Sequence, residues 1–162
     1  MRWLLAPYLA AAWLNARWWT RKEPPACEVA DRVWMGRLPS RVERRQLGIA
    51  SMVNLTAELP SATEDAKCRS VPVLDLTIPT AAQFDRAVAC IESLEPDRPT
   101  LVCCALGYSR SASAVAAWLV ATGRASSVDA AIAILHGAGR RVVLSPAHRA
   151  RLQNWARERE YA

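Results

Sequence analysis

Residues 100–123, TLVCCALGYSRSASAVAAWLVATG, constrain the fold more than any other stretch of this chain. Their second half, SASAVAAWLVATG, reads as a helix ended by Gly123 and is apolar nearly all round. Such a helix has no face to give to water and must be covered on every side. Directly before it, RPTLVCC reads as a buried strand, joined to the helix by a short loop of small and flexible residues. A buried strand running through a tight loop into a buried helix is the centre of a layered α/β domain. The rest of the chain must supply the layers.

It does so in alternation. EVADRVWMGRL suggests a short strand, a turn and a second strand with Gly36 as punctuation; SRVERRQLG suggests a short helix closed by Gly48; IASMVNLT and CRSVPVLDL suggest strands. In PTAAQFDRAVACIESL, Thr80 and Gln83 form a capping-box pair, and Phe84, Ala87, Val88, Ile91 and Leu94 share one helical face. Ser126 with Asp129 is read as the cap of a further helix, and Ser145 followed by Pro146 as the start of the last one. The expectation is an α/β domain with a central, mostly parallel sheet of four to five strands flanked by helices. At 162 residues, 52% of them apolar, the chain holds one such domain, over residues 27–162, and no second.

The net charge of +6 comes from 21 basic against 15 acidic side chains, and Lys22 and Lys67 are the only lysines. Arginine suits planar contacts with phosphate or carboxylate. The basic residues are interspersed with Glu and form no aromatic-basic stripe, so nucleic acid is not the expected partner. Five cysteines, an odd number without a repeated spacing, predict neither a disulfide framework nor a zinc site. A free thiol in a reducing compartment, with no metal and no cofactor, is the simpler expectation.

The first 22 residues, MRWLLAPYLAAAWLNARWWTRK, differ from everything after them. The apolar run from Trp3 to Leu14 is shorter than the roughly 20 residues that span a bilayer. Trp13, Trp18 and Trp19 beside Arg17, Arg21 and Lys22 suit the headgroup zone, which makes a membrane surface a candidate partner at the cytoplasmic face. Two alternatives stand beside it. One is a signal peptide, with Arg2 before the apolar core, which would make the protein exported; the other is a helix docked on the domain of a soluble cytoplasmic protein. KEPPAC then reads as a linker, so residues 1–26 are set apart from the domain.

Chemistry concentrates between the central strand and helix. Cys104 and Arg110 stand in C-x5-R spacing across Ala105, Leu106, Gly107, Tyr108 and Ser109. A strand-to-helix turn of this kind stacks backbone N–H groups into a concave nest and adds the helix's positive terminus, which fits a tetrahedral oxyanion. Gly107 provides positive φ or close backbone approach, and Arg110 a fork for two phosphate oxygens. The same field is expected to draw the Cys104 thiol below its free value of about 8.5 and make it a nucleophile. Ser111 is placed to hydrogen-bond to the sulfur when it later departs from a phosphocysteine.

The stretch Cys103-Cys104-Ala105-Leu106-Gly107-Tyr108-Ser109-Arg110-Ser111 resembles the signature of the cysteine-dependent protein phosphatases, in their dual-specificity branch, and the resemblance extends over about residues 27–158. It implies the phosphatase fold, phosphomonoester hydrolysis and a general acid upstream of the nucleophile. Asp75 in VPVLDLTIPT, where an apolar strand gives way to a loop, matches that place; Asp85 reads as a solvated helix residue, Asp97 as part of a turn, and Glu64 and Asp65 as a polar loop. The departure is Cys103, which occupies the position of the family's histidine and is read as a core residue on the opposite strand face. His136 and His148 are read as surface or helix-cap residues.

Family members acting on phospholipids often carry Lys or Arg inside the loop. Ala105, Leu106 and Tyr108 are there instead, so the expected substrate is a phosphoprotein, phosphotyrosine before phosphoserine or phosphothreonine. The opening segment resembles the last span and exit of bacterial proteins that join a membrane lipid phosphatase to a dual-specificity domain, which keeps a lipid phosphate as the runner-up. A non-catalytic phosphate-binding module is a third reading. A sulfurtransferase would leave Asp75 and Ser111 without work.

Overall fold

The computed structural model describes residues 6–59, 67–94 and 97–160; Arg2 and Trp3 of the opening segment, and Glu64 and Asp65, lie outside these residues. In chain order the elements are α1 (Ala6–Trp19), β1 (Ala26–Ala30), β2 (Val33–Arg37), α2 (Arg41–Gln46), β3 (Ser51–Thr56), β4 (Cys68–Val73), α3 (Ala81–Glu92), β5 (Thr100–Cys104), α4 (Arg110–Ala121), α5 (Val128–Gly137) and α6 (Pro146–Glu160).

The five strands form one sheet in the order β1-β2-β5-β3-β4. Only the β1–β2 hairpin is antiparallel; β2, β5, β3 and β4 run parallel, which is the expected architecture. Its tight turn is made by Asp31 and Arg32, at φ of 45° and 62°, and not by Gly36, which lies inside β2. The glycine is needed there for space: a Cβ on Gly36 would come 2.4 Å from the Pro25 carbonyl oxygen. β5 lies between β2 and β3, with Cys104 paired to Arg37 and Cys103 to both Gly36 and Asn54. The carboxyl ends of the parallel strands therefore open on one edge, where ligands bind in open α/β sheets.

Alternation along β5 divides the interior. Val102 and Cys104 face the main core with Phe84, Val88, Val115, Trp118, Leu135, Leu152 and Trp155, while Leu101 and Cys103 face a smaller cluster with Ala26, Ile49 and Met52. Helix α4 is covered as its composition requires: Ser111 to Leu119 are all buried. Trp118 and Trp155 keep their N–H groups satisfied by Glu92 at 2.6 Å and Asp85 at 3.0 Å. Asp85 is thus a polar partner of the core and of Arg159, not the purely solvated residue the sequence suggested. Truncating either buried tryptophan to alanine costs about 3–5 kcal/mol.

The caps mostly follow the sequence. Thr80 and Gln83 form their capping box, and Ser40 with Glu43 forms a second. The cap of α5 is Ser127, whose hydroxyl accepts from the Ala130 N–H, one residue later than expected; the strand-like φ of −160° at Ser127 marks it as the last residue outside the helix.

Helix α1 lies against the domain with one side and shows the other to solvent. Ala16 and Thr20 are buried, and Arg17 meets Glu43 at 2.9 and 2.5 Å, while Leu14, Trp18 and Trp19 are exposed. Among the described residues no helix is long and apolar enough to cross a membrane.

Candidate active site

The loop from Cys104 to Arg110 is shaped from outside by where its carbonyls go. In a nest with amides turned to a ligand, the carbonyls turn away and need donors of their own. Four have them: Cys104 O accepts from Leu38 N–H at 2.8 Å, Leu106 O from Arg140 Nη2 at 2.7 Å, Tyr108 O from Val143 N–H at 2.9 Å, and Ser109 O from Ser113 N–H at 2.8 Å. Arg140 is 3% exposed and also bonds the Pro24 carbonyl, so it clamps the loop to the strap after α1. Gly107 sits at φ +78°, and a Cβ there would fall 2.3 Å from Gly36 C and 2.5 Å from Arg37 N. The two glycines allow strand and loop to touch through backbone.

Cys104 is 3% exposed at the base of this loop. Its Sγ accepts the Gly107 N–H at 3.2 Å and lies 3.5 Å from the Ser111 hydroxyl. Cys103 lies on the other face, fully buried, and burial pushes its thiol well up. It shares neither the Gly107 amide nor the Ser111 hydroxyl with the adjacent cysteine.

Arg110, 4% exposed, is held by two carboxylates and a carbonyl. Glu58 accepts from both Nη atoms, at 2.8 and 2.6 Å, Val73 O accepts at 3.0 Å, and Asp75 lies 3.1 Å from Nη2. Burial alone would ease the proton off this guanidinium; Glu58, the Cys104 sulfur and Asp75 outweigh it and hold it on more firmly. Burial likewise would raise the Glu58 carboxyl, but bonds from Arg110 and the local backbone pull it below its usual range. Glu58 and Asp75 occupy equivalent places, each two residues past the end of neighbouring parallel strands β3 and β4. The buried Asn54 and Thr56 fix the first of these turns by bonding Leu59 O at 3.1 and 2.5 Å.

A cleft of about 690 Å³ opens over the loop, lined by Ala105 and Leu106, by Glu58 and Leu59, by Leu74, Asp75 and Thr77, and by Ala11, Asn15 and Ala16 of α1. Every residue proposed from sequence is thus in this region, in different roles. Ala105 and Leu106 line the cleft; Gly107 supports the sulfur; Ser111 touches it; Asp75, its side chain 66% exposed, stands at the mouth. Tyr108 turns outward, its hydroxyl donating to Glu23 at 3.0 Å, and burial with that carboxylate raises the phenol. Ser109 Oγ meets His148 Nε2 at 3.1 Å, so His148 reaches the loop and is more than a surface residue.

Glu58, Arg140 and His148 are the residues that sequence reading missed. For Glu58 a signal existed: a carboxylate just beyond a buried parallel strand, as with Asp75. For the other two there was none, because the segment that brings them to the loop follows it by some thirty residues or more.

Residues 34–158 match the family model for the dual specificity phosphatase, catalytic domain. Among solved structures the fold is similar to human DUSP28, at a TM-score of 0.73 and 22% identity over 85% of this chain and 97% of that one. A mouse putative dual specificity phosphatase complexed with zinc tungstate gives 0.73 and 24% over 86% and 91%. PTPMT1 in complex with PI(5)P gives 0.71 and 19% over 85% and 99%. Among curated proteins no sequence matches.

Proposed function

The chain belongs to the dual specificity phosphatase catalytic-domain family and is a cysteine-dependent phosphatase, and we propose that it cleaves phosphomonoesters through a phosphocysteine on Cys104, with a phosphotyrosyl protein as substrate. The observation that carries the assignment is the Cys104 sulfur under a glycine amide at 3.2 Å and beside the Ser111 hydroxyl at 3.5 Å, at the base of a loop closed by Arg110.

In this reading phosphate seats on the amides of residues 105–110 and on the Arg110 guanidinium, through Nε and through Nη2 once Asp75 releases it, and Cys104 Sγ attacks phosphorus opposite the leaving oxygen. The phosphorus–oxygen bond breaks as Asp75 gives its proton to that oxygen. Asp75 then accepts a proton from the water that attacks the phosphocysteine, and the departing sulfur takes a hydrogen bond from Ser111. Glu58 keeps the guanidinium oriented throughout. The phosphotyrosyl choice is supported by a mostly apolar cleft whose loop residues Ala105 and Leu106 bring no cation for a second phosphate.

Cys104→Ser is expected to abolish turnover while retaining phosphate binding. A wild type that turns over no phosphomonoester supports the binding-module reading instead. A second substrate reading, a lipid phosphate at a membrane surface, is favoured by exposed apolar residues on the segments that line the cleft: Leu14, Trp18 and Trp19 of α1, and Leu74 and Leu76 on either side of Asp75, Leu76 at 97%. Arg21 lies over the Trp18 ring at 3.8 Å, a pairing suited to anionic headgroups. Hydrolysis of phosphotyrosyl peptides and phosphatidylglycerophosphate measured side by side, with binding to anionic vesicles, decides between them. Activity confined to lipid overturns the first choice.

A further inference from the structure

The segment between β4 and α3 borders two concavities. Leu74, Asp75 and Thr77 line the catalytic cleft, and the residues that follow at once, Ile78, Pro79 and Thr80, line a second groove of about 480 Å³ whose other wall is α6. On that helix Ala147, Ala150, Arg151 and Asn154 recur at spacings of three and four and so share one face, beside the Leu152 and Trp155 side chains that enter the core. Thr77 belongs to the first lining and Ile78 to the second, so the groove continues the cleft past the residue that carries the Asp75 carboxylate round its rim.

The two differ in charge. Glu58 and Asp75 stand in the cleft, both turned on Arg110, whereas the groove is lined by no carboxylate and by one cation, Arg151. Its other polar groups are engaged: Thr80 in the capping box with Gln83, and the Asn154 side-chain oxygen by Arg157. Arg149 and Arg159 of the same helix are paired with Asp129 and Asp85. Among the described residues Arg151 has no carboxylate partner, although it is half-buried between small and apolar neighbours. A guanidinium in such a place gains more from an incoming carboxylate than a fully solvated one does. We propose that this groove is a substrate subsite, which takes the polypeptide flanking the phosphotyrosyl residue and selects a carboxylate there through Arg151. Arg151 thereby determines specificity and touches no reacting atom.

The full chain is assayed on phosphotyrosyl peptides that carry Ala, Glu or Lys singly at each position from four before to four after the phosphotyrosine, with a small aryl phosphate as control. Glu should raise kcat/KM over Ala by about threefold to fivefold at one or two positions, the upper range for an exposed ion pair. Arg151→Glu should transfer the preference to Lys at those positions. Ala150→Trp, which fills the groove, should raise the KM of the peptides severalfold. Both variants should leave aryl phosphate turnover unchanged, which also reports that they fold. Equal rates for Glu and Ala at every position, a Glu preference that survives Arg151→Glu, peptide KM values unmoved by Ala150→Trp, or an equal loss on the aryl phosphate overturns the proposal. The inference rests on the phosphotyrosyl reading: hydrolysis of phosphatidylglycerophosphate and of no peptide fails that reading and this one with it, whereas turnover of all the peptides without a charge preference fails this one alone.

Discussion

Glu43 should be the principal acid-sensitive joint of this protein. Its carboxylate accepts from Arg37 at 3.1 and 2.6 Å, from Arg17 at 2.9 and 2.5 Å, and from the Ser40 N–H and hydroxyl at 2.8 and 3.0 Å. It thereby ties α1 and the end of β2 to the start of α2. Burial by itself would raise this carboxyl, but the bonds from Arg37, Arg17 and Ser40 dominate and hold it far below the ordinary carboxylate range. With the Arg37 side chain only 8% exposed and that of Glu43 18%, Glu43→Gln leaves a nearly buried guanidinium short of its counter-charge. Breaking a fully buried pair costs about 3–5 kcal/mol, and partial exposure places this one near the lower end, about 3 kcal/mol. That corresponds to a melting-temperature loss of about 6–12 °C for a chain of this size. The sign of the pH effect follows from the depressed folded value. The Glu43 contribution is complete above the unfolded value of about 4.3 and is lost as pH falls through the folded one. Between those values the gap between wild type and variant shrinks by about 1.4 kcal/mol per pH unit, so near pH 3 it should be about 1.2 kcal/mol. Urea unfolding of both proteins from pH 7 to pH 3 measures this. A constant gap across the range, or one that widens in acid, refutes the reasoning.

Gly107→Ala should lower kcat/KM of aryl phosphate hydrolysis on the order of 10²-fold, because the left-handed φ and a Cβ 2.3 Å from Gly36 C force loop and strand apart by an ångström-scale shift. Asp75→Asn should cost about 10²–10⁴-fold in kcat and remove the alkaline descending limb of the pH–rate profile; an unchanged profile assigns the proton to another group. Iodoacetamide on the native protein should label Cys104 and be blocked there by phosphate, while the fully buried Cys103 stays unlabelled by peptide mass spectrometry.

What sequence reading reached and what it missed divide by range. Cys104, Gly107, Arg110 and Ser111 were legible because strand, loop and helix lie in one contiguous stretch, and the all-round apolar character of α4 placed that stretch at the centre. The opposite facing of Cys103 followed from strand alternation alone. Gly36 was misread because a glycine inside a strand looks like a turn until the Pro25 carbonyl and Gly107 are seen pressing on it. Asp85 was misread because its partner, Trp155, lies 70 residues away. Ser126 and Ser127 are chemically equivalent as caps, and only the backbone angle chooses between them.

The carbonyls of the phosphate loop are anchored by Leu38, Arg140, Val143 and Ser113, donors drawn from both sides of the loop in the chain. No short piece of this polypeptide contains its own working nucleophile. Hydrolytic competence therefore requires the connection ahead of α6, which carries Arg140 and Val143, to be docked. Appearance of activity is therefore a stricter reporter of completed folding than recovery of helical signal, and a chain truncated before residue 140, which also loses Leu152 and Trp155 from the main core, should be inert.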